Sequence, residues 1–118
     1  MGERSREHDL DRAFAALAHP TRRALLIELG AEERRVTDLA ARFPLALNSV
    51  SKHLRVLEAA GLVHRHIDGR DHWLAADWRP VSEALRWAEK QMTFWTRSLE
   101  ALAALVEPPP RKGKRRRE

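Results

Sequence analysis

The sequence predicts a mainly α-helical chain interrupted by one small β-hairpin. Three observations lead there. Apolar residues return at 3 and 4 spacing over most of the chain, alternation of period two is confined to residues 62–74, and Asp68-Gly69 stands inside that stretch as a turn pair. A length of 118 residues with 43% hydrophobic residues suits one small domain, which buries a core but gains area by oligomerising.

Met1 to His8 is charged and without apolar periodicity, and reads as a frayed lead-in. From Asp9 to Ala18, the residues Leu10, Ala13, Phe14 and Leu17 make the stripe of a first helix. Pro20 stops it and suits the first turn of a second, Pro20 to Leu29, with Leu25, Leu26 and Leu29 apolar and Gly30 beyond its end. Ala31 to Arg35 is a polar connection. Thr37-Asp38 then opens a short third helix through Phe43, with Leu39, Ala40 and Phe43 on its buried side.

Pro44 and Leu45 lead tightly into Ala46 to Gly61, the stretch around which the chain is organised. Val50, Leu54 and Leu57 form its apolar stripe, Asn48, Ser51, Lys52 and Arg55 its polar one, and Gly61 is placed to end it in a left-handed conformation. Short hydrogen-bonding groups mixed with cations suit base edges and phosphates. A short helix, a brief turn and an amphipathic helix within about 25 residues have the spacing of a helix-turn-helix.

Val63, Arg65 and Ile67 then alternate with His64 and His66, so a two-stranded hairpin follows as a wing. Arg65, Arg70 and the histidines there suit minor groove or flanking phosphates, or equally a solvated tip. Arg22 and Arg23, in the first turn of the second helix, are open to the same two readings. From Pro80 to Glu107 the residues Val81, Leu85, Ala88, Met92, Trp95, Leu99, Leu102 and Val106 form an unbroken heptad seam about 40 Å long, which calls for a partner helix. A second stripe, Ala84, Trp87, Phe94, Ala101 and Leu105, widens the apolar face. The order is helix, helix, helix, helix, strand, strand, helix: a winged helix-turn-helix that dimerises through its terminal helices. Residues 1–107 make this domain, and 108–118 a Pro-rich, polybasic tail expected to be disordered.

The net charge of +5 resides in that tail, which holds six of the 22 basic side chains and one of the 17 acidic ones. The folded part is balanced, so what matters there is where its cations sit. The tail suits non-specific, salt-dependent DNA affinity. There is no cysteine, and no signal peptide or membrane-spanning run is evident, so a cytoplasmic protein without membrane attachment is expected. An enzyme is disfavoured: the chain has no cysteine nucleophile, no glycine-rich phosphate loop and no paired carboxylates with a histidine.

The runs Ala18-His19-Pro20-Thr21-Arg22-Arg23 and Val50-Ser51-Lys52-His53-Leu54-Arg55-Val56-Leu57-Glu58-Ala59-Ala60-Gly61-Leu62-Val63, followed by Asp68-Gly69-Arg70, resemble the ArsR family of winged helix-turn-helix repressors. The resemblance covers about Leu10 to Leu105. The end, Phe94-Trp95 with Leu99, Leu102 and Leu105, looks like the metal-independent, autorepressor-like branch, whose members are often encoded beside a START-like protein. What this implies is a homodimer that binds palindromic double-stranded operator DNA and blocks transcription, with recognition helices about 34 to 36 Å apart.

By position, the resemblance puts Asn48, Ser49, Ser51, Lys52 and Arg55 at the major groove, and Arg22 and Arg70 at phosphate or minor groove. Dimerisation falls to Val81, Leu85, Met92, Trp95, Leu99 and Leu102. His53 also matches but shares a face with Val50 and Leu57, which favours packing over base reading. Alanine at position 46, where many relatives have a capping serine, leaves Asn48 either to cap the helix or to read a base.

No cofactor is expected. Metal-responsive relatives use thiolates on the third helix or histidines and carboxylates on the last, and here the third has no Cys and the last no His. With Asp68-Gly69 as a two-residue turn, His66 faces Asp71 and Arg65 faces His72, so His64 and His66 share a face that His72 does not. Trp73, Trp78, Trp87 and Trp95 fit core positions better than a pocket for a small-molecule effector, which stays unidentified. The alternative function is a winged-helix interaction module whose basic tail binds nucleic acid without reading sequence.

Overall fold

A computed structural model describes residues 2–106, in the order α1 (Gly2–Leu17), α2 (Pro20–Ala31), β1 (Arg34–Arg35), α3 (Val36–Ala40), α4 (Leu47–Ala59), β2 (Val63–Asp68), β3 (Asp71–Ala76) and α5 (Arg79–Val106). The chain divides into two compact units, Met1–Leu85 and Arg86–Glu118. Residues 108–118, the expected disordered tail, lie outside the described residues.

The first unit is built on one apolar core. Leu25, Leu26, Leu39, Val50, Leu54, Leu57, Leu62 and Leu74 are each at most 1% exposed. Ala16 and Leu29 join this cluster, and Val36, Phe43 and Val81 pack against it from the rim. The stripes at 25, 26 and 29 and at 50, 54 and 57 therefore face one another as the 3 and 4 spacing requires.

Four local expectations are corrected. The lead-in is helical: α1 starts at Gly2, and Arg6 to Asp9 extend it into solvent. Helix α2 continues through Gly30 to Ala31. A Cβ at position 30 would lie 3.1 Å from Trp78 Cζ2, so glycine there admits a close-packed indole and does not mark the helix end. Helix α3 starts at Val36 with Arg35 as N-cap, and Asp38 in its first turn accepts a hydrogen bond from Arg35 Nε at 2.9 Å.

The fourth correction concerns the wing. The polar connection before α3 contains β1, which pairs Arg34 with Leu74 and Arg35 with Trp73, giving an antiparallel sheet of order β1-β3-β2. The hairpin turn is Gly69-Arg70, since Asp68 pairs with Asp71, Ile67 with His72 and His66 with Trp73. Gly69 has φ +65° and Arg70 has no positive φ, which matches a turn with glycine first. His72 still lies on the opposite face from His64 and His66. Among the described residues, no group of three or more His, Asp or Glu is arranged to hold a metal.

Gly61 ends α4 as its position suggested, with φ +75°. Leu62 N–H donates to Leu57 O at 2.9 Å and Gly61 N–H to Glu58 O at 3.0 Å, the paired bonds of a Schellman motif. The apolar Leu62 is thereby turned into the core. The atom nearest to an added Cβ is Pro80 Cγ at 3.7 Å, so the cost of a side chain here is conformational and not steric. Gly61→Ala should lower unfolding free energy by about 1–2 kcal/mol, read from urea denaturation.

The second unit comprises, within the described residues, the remaining length of α5. Its apolar residues are largely uncovered: Met92, Trp95, Leu99 and Leu102 are 66%, 58%, 61% and 57% exposed. Phe94 and Trp95 meet edge to face at 5.4 Å.

Candidate nucleic-acid interface

Helix α4 is held with its apolar stripe inward and its polar stripe outward. Asn48, Lys52 and Arg55 lie opposite Val50, Leu54 and Leu57 and are exposed. Ser49 is exposed on one flank, and Ser51 is half-buried on the other. Ala46 is the N-cap, with extended backbone and no side-chain cap bond, so Asn48 sits inside the first turn and does not cap the helix. A serine at position 46 should stabilise the chain by about 1 kcal/mol, which thermal unfolding of Ala46→Ser would check.

The cations around this helix fall into two groups. Arg42 Nε donates to Glu28 Oε1 at 2.7 Å, which fixes the turn before α4 onto α2. Arg34 also reaches Glu28, Arg65 binds Glu58, and Arg79 binds Asp77. Asp77 is also within 2.7 Å of His64 Nε2, and these partners hold its carboxyl well below the usual carboxylate range, led by the Arg79 hydrogen bond. In contrast, the side chains of Lys52, Arg55 and Arg70 form no hydrogen bond or ion pair with other described residues. Paired cations tie elements together through part of their donor set; the unpaired ones at the turn of the wing and along α4 have every donor available to an external anion.

Arg22, expected by resemblance at phosphate or minor groove, has two of its donors engaged within the chain. Its Nε donates to Ala16 O at 2.8 Å and its Nη2 to Ala15 O at 2.9 Å, while Arg23 Nη1 donates to Leu17 O at 2.6 Å. Both arginines therefore satisfy the open carbonyls at the end of α1. Two arginines just past a helix end were the sequence signal for this role.

His53 packs as its face suggested, with its ring centroid 4.5 Å from that of His19 and its Nδ1 3.4 Å from Arg22 Nη1. His19 is the N-cap of α2, its Nδ1 accepting from Thr21 N–H at 3.1 Å, a role its residue type did not announce. Burial first, then His19 and Arg22, push the His53 imidazole below its ordinary value. The unfolded chain takes up that proton more readily than the folded one, so stability due to His53 is present above pH ~6.5 and declines as pH falls below it. His53→Gln should flatten this decline in urea midpoints, and an equally steep profile in the variant would assign it to another group.

A short helix, a tight turn, an amphipathic helix with an uncovered polar face and a sheet-borne wing define a class, the winged helix-turn-helix DNA-binding regulators. Comparison with known proteins agrees. Residues 17–66 match the helix-turn-helix domain model. The HTH-type transcriptional regulator Rv2034 of Mycobacterium tuberculosis is 36% identical over 97 residues, which is 82% of this chain and 88% of that protein. The transcriptional repressor SdpR of Bacillus subtilis is 26% identical over 78 residues, 66% of this chain and 87% of that one. An ArsR-like transcriptional regulator from Rhodococcus sp. RHA1 superposes with a TM-score of 0.80 at 32% identity, over 87% of this chain and 97% of that chain. The chain belongs to the ArsR family of winged helix-turn-helix transcriptional regulators. No helix among the described residues is long and apolar enough to cross a membrane.

Proposed function

We propose that the protein is a cytoplasmic, homodimeric repressor, of the metal-independent branch, that binds palindromic operator DNA at its own or a neighbouring operon. Asn48, Ser49, Ser51, Lys52 and Arg55 enter the major groove, and Arg70 contacts minor groove or backbone. The observation that carries this reading is the pair of unpaired cations Lys52 and Arg55 on the exposed face of α4, while Arg34, Arg42 and Arg65 nearby are ion-paired within the chain. The exposed stripe Leu85, Met92, Trp95, Leu99 and Leu102 supports pairing of two copies through α5, while Val81 packs on the core. Repression follows the activity named for the Bacillus subtilis relative.

The test is fluorescence anisotropy with the chain's own upstream DNA and a scrambled duplex, at two salt concentrations. Lys52→Ala and Arg55→Ala should each weaken the specific complex by about 1–3 kcal/mol while leaving unfolding unchanged. Equal affinity for both duplexes, lost on truncation after Glu107, would favour a module whose tail binds nucleic acid without reading sequence.

A further inference from the structure

Where the wing meets the start of α3 the surface forms an open recess of about 260 Å³, lined by Arg35, Arg65, Arg70 and His72 together with Thr37 and Asp71. Three guanidiniums share this space with one carboxylate. Two of them are held from outside it. Arg35 Nε donates to Asp38 and its guanidinium lies 5.8 Å from the centroid of the Trp73 ring. Arg65 Nε donates to Glu58 on α4 at 2.7 Å, and its Nη1 lies 3.1 Å from His72 Nδ1. Asp71 approaches Arg35 at 3.7 Å, too far for a full hydrogen bond. Arg70 has no partner among the described residues. A guanidinium has five N–H donors, so these contacts fix the position of Arg35 and Arg65 while leaving most of their donors unused.

A recess with fixed forked donors and an unpaired third cation, bordered by Thr37, matches an oxyanion of the phosphate type. We propose that it seats one phosphodiester of the DNA backbone in each half-site, an inference that rests on the DNA-binding reading above. The backbone is the source favoured by position. In helix-turn-helix docking the first helix crosses the backbone while the second enters the groove. Here α3 is that first helix and supplies Thr37, and Arg65 is anchored on α4 itself. The seat makes Arg35 and Arg65 DNA-contacting residues in addition to Arg70, and gives Asp71 an opposing role.

The experiment uses the full chain and a duplex selected by it from a random library. Log affinity is measured against log salt for wild type, Arg35→Gln, Arg65→Gln and Arg70→Gln, with single methylphosphonates scanned along the duplex. Each variant should reduce the steepness of the salt slope, by at most about 1.8 for the one phosphate in each of two half-sites, and should lose the wild type's sensitivity to a methylphosphonate at one position per half-site. Asp71→Asn should tighten binding. A residue that merely props up the wing would weaken binding but leave that sensitivity intact. Arg70→Gln, at an exposed turn, keeps the test open should either of the other variants fold poorly.

If wild type shows no preference for the selected duplex, or Lys52→Ala and Arg55→Ala leave it unchanged, the DNA-binding reading itself falls. If wild type discriminates normally while all three variants keep their salt slopes and methylphosphonate responses, the seat alone is overturned. Saturable binding of inorganic phosphate to the DNA-free protein, abolished in Arg65→Gln and unaccompanied by any methylphosphonate effect, would assign the recess to a free anion and overturn the backbone assignment.

Discussion

Glutamates placed together at Met92 and Leu99 should yield a folded, helical, monomeric chain that has lost operator binding by about a hundredfold or more. In the single chain both side chains are more than half exposed, 66% and 61%, so the substitutions take little from the core. Under the proposed pairing through α5 they become charges in an apolar seam without partners, which costs several kcal/mol. The DNA effect is larger than either residue's own contacts explain, because two half-sites bound by one dimer gain from effective concentration and a monomer does not. Sedimentation, far-ultraviolet circular dichroism and anisotropy on one sample separate the outcomes. A dimer that persists with both glutamates present would remove α5 from the interface.

Leu54→Ala should have the opposite profile, a loss of stability of about 2–5 kcal/mol with binding lost only as the chain unfolds. Leu54 is fully buried in the cluster that joins α2, α4 and the sheet, and its truncation leaves a cavity that neighbouring leucines fill only in part. Against a typical total of about 5–15 kcal/mol, that is a large share. Lys52 lies two positions earlier on the same helix and should show the reverse, intact unfolding with weakened DNA binding. Urea denaturation of both variants would check that the two faces of α4 divide the work this way.

Much of this was legible because the signals repeat. Val50, Leu54 and Leu57, closed by Gly61, specify a helix, its buried face and its end within a dozen residues, and the same stripe fixes which side Lys52 and Arg55 occupy. Strand β1 was not legible, because two residues have no period and Arg34-Arg35 becomes a strand only through pairing with Trp73 and Leu74. The turn register escaped for a different reason. Asp-Gly with glycine second and Gly-Arg with glycine first both satisfy the need for a positive φ, so the dipeptide alone does not choose between them. Arg22 was expected at phosphate or minor groove by resemblance, and its bonds to the carbonyls of Ala15 and Ala16 add a structural role at the end of α1 that the resemblance did not supply. The basic recess was hidden because Arg35, Arg65 and Arg70 come from three places that only the three-stranded sheet brings together.

That sheet also bears on how the protein behaves when concentrated. Its central strand is β3, so the strands with open edges are β1, only two residues long, and β2, which carries His64, Arg65, His66 and Asp68. A strand from another molecule finds too short a template on one side and a largely charged, polar one on the other, which is how natural sheets avoid adding strands edge to edge. Self-association by β-pairing is thereby discouraged, and under the proposed pairing through α5 the apolar surface along that helix is spent on a second copy instead of on added strands.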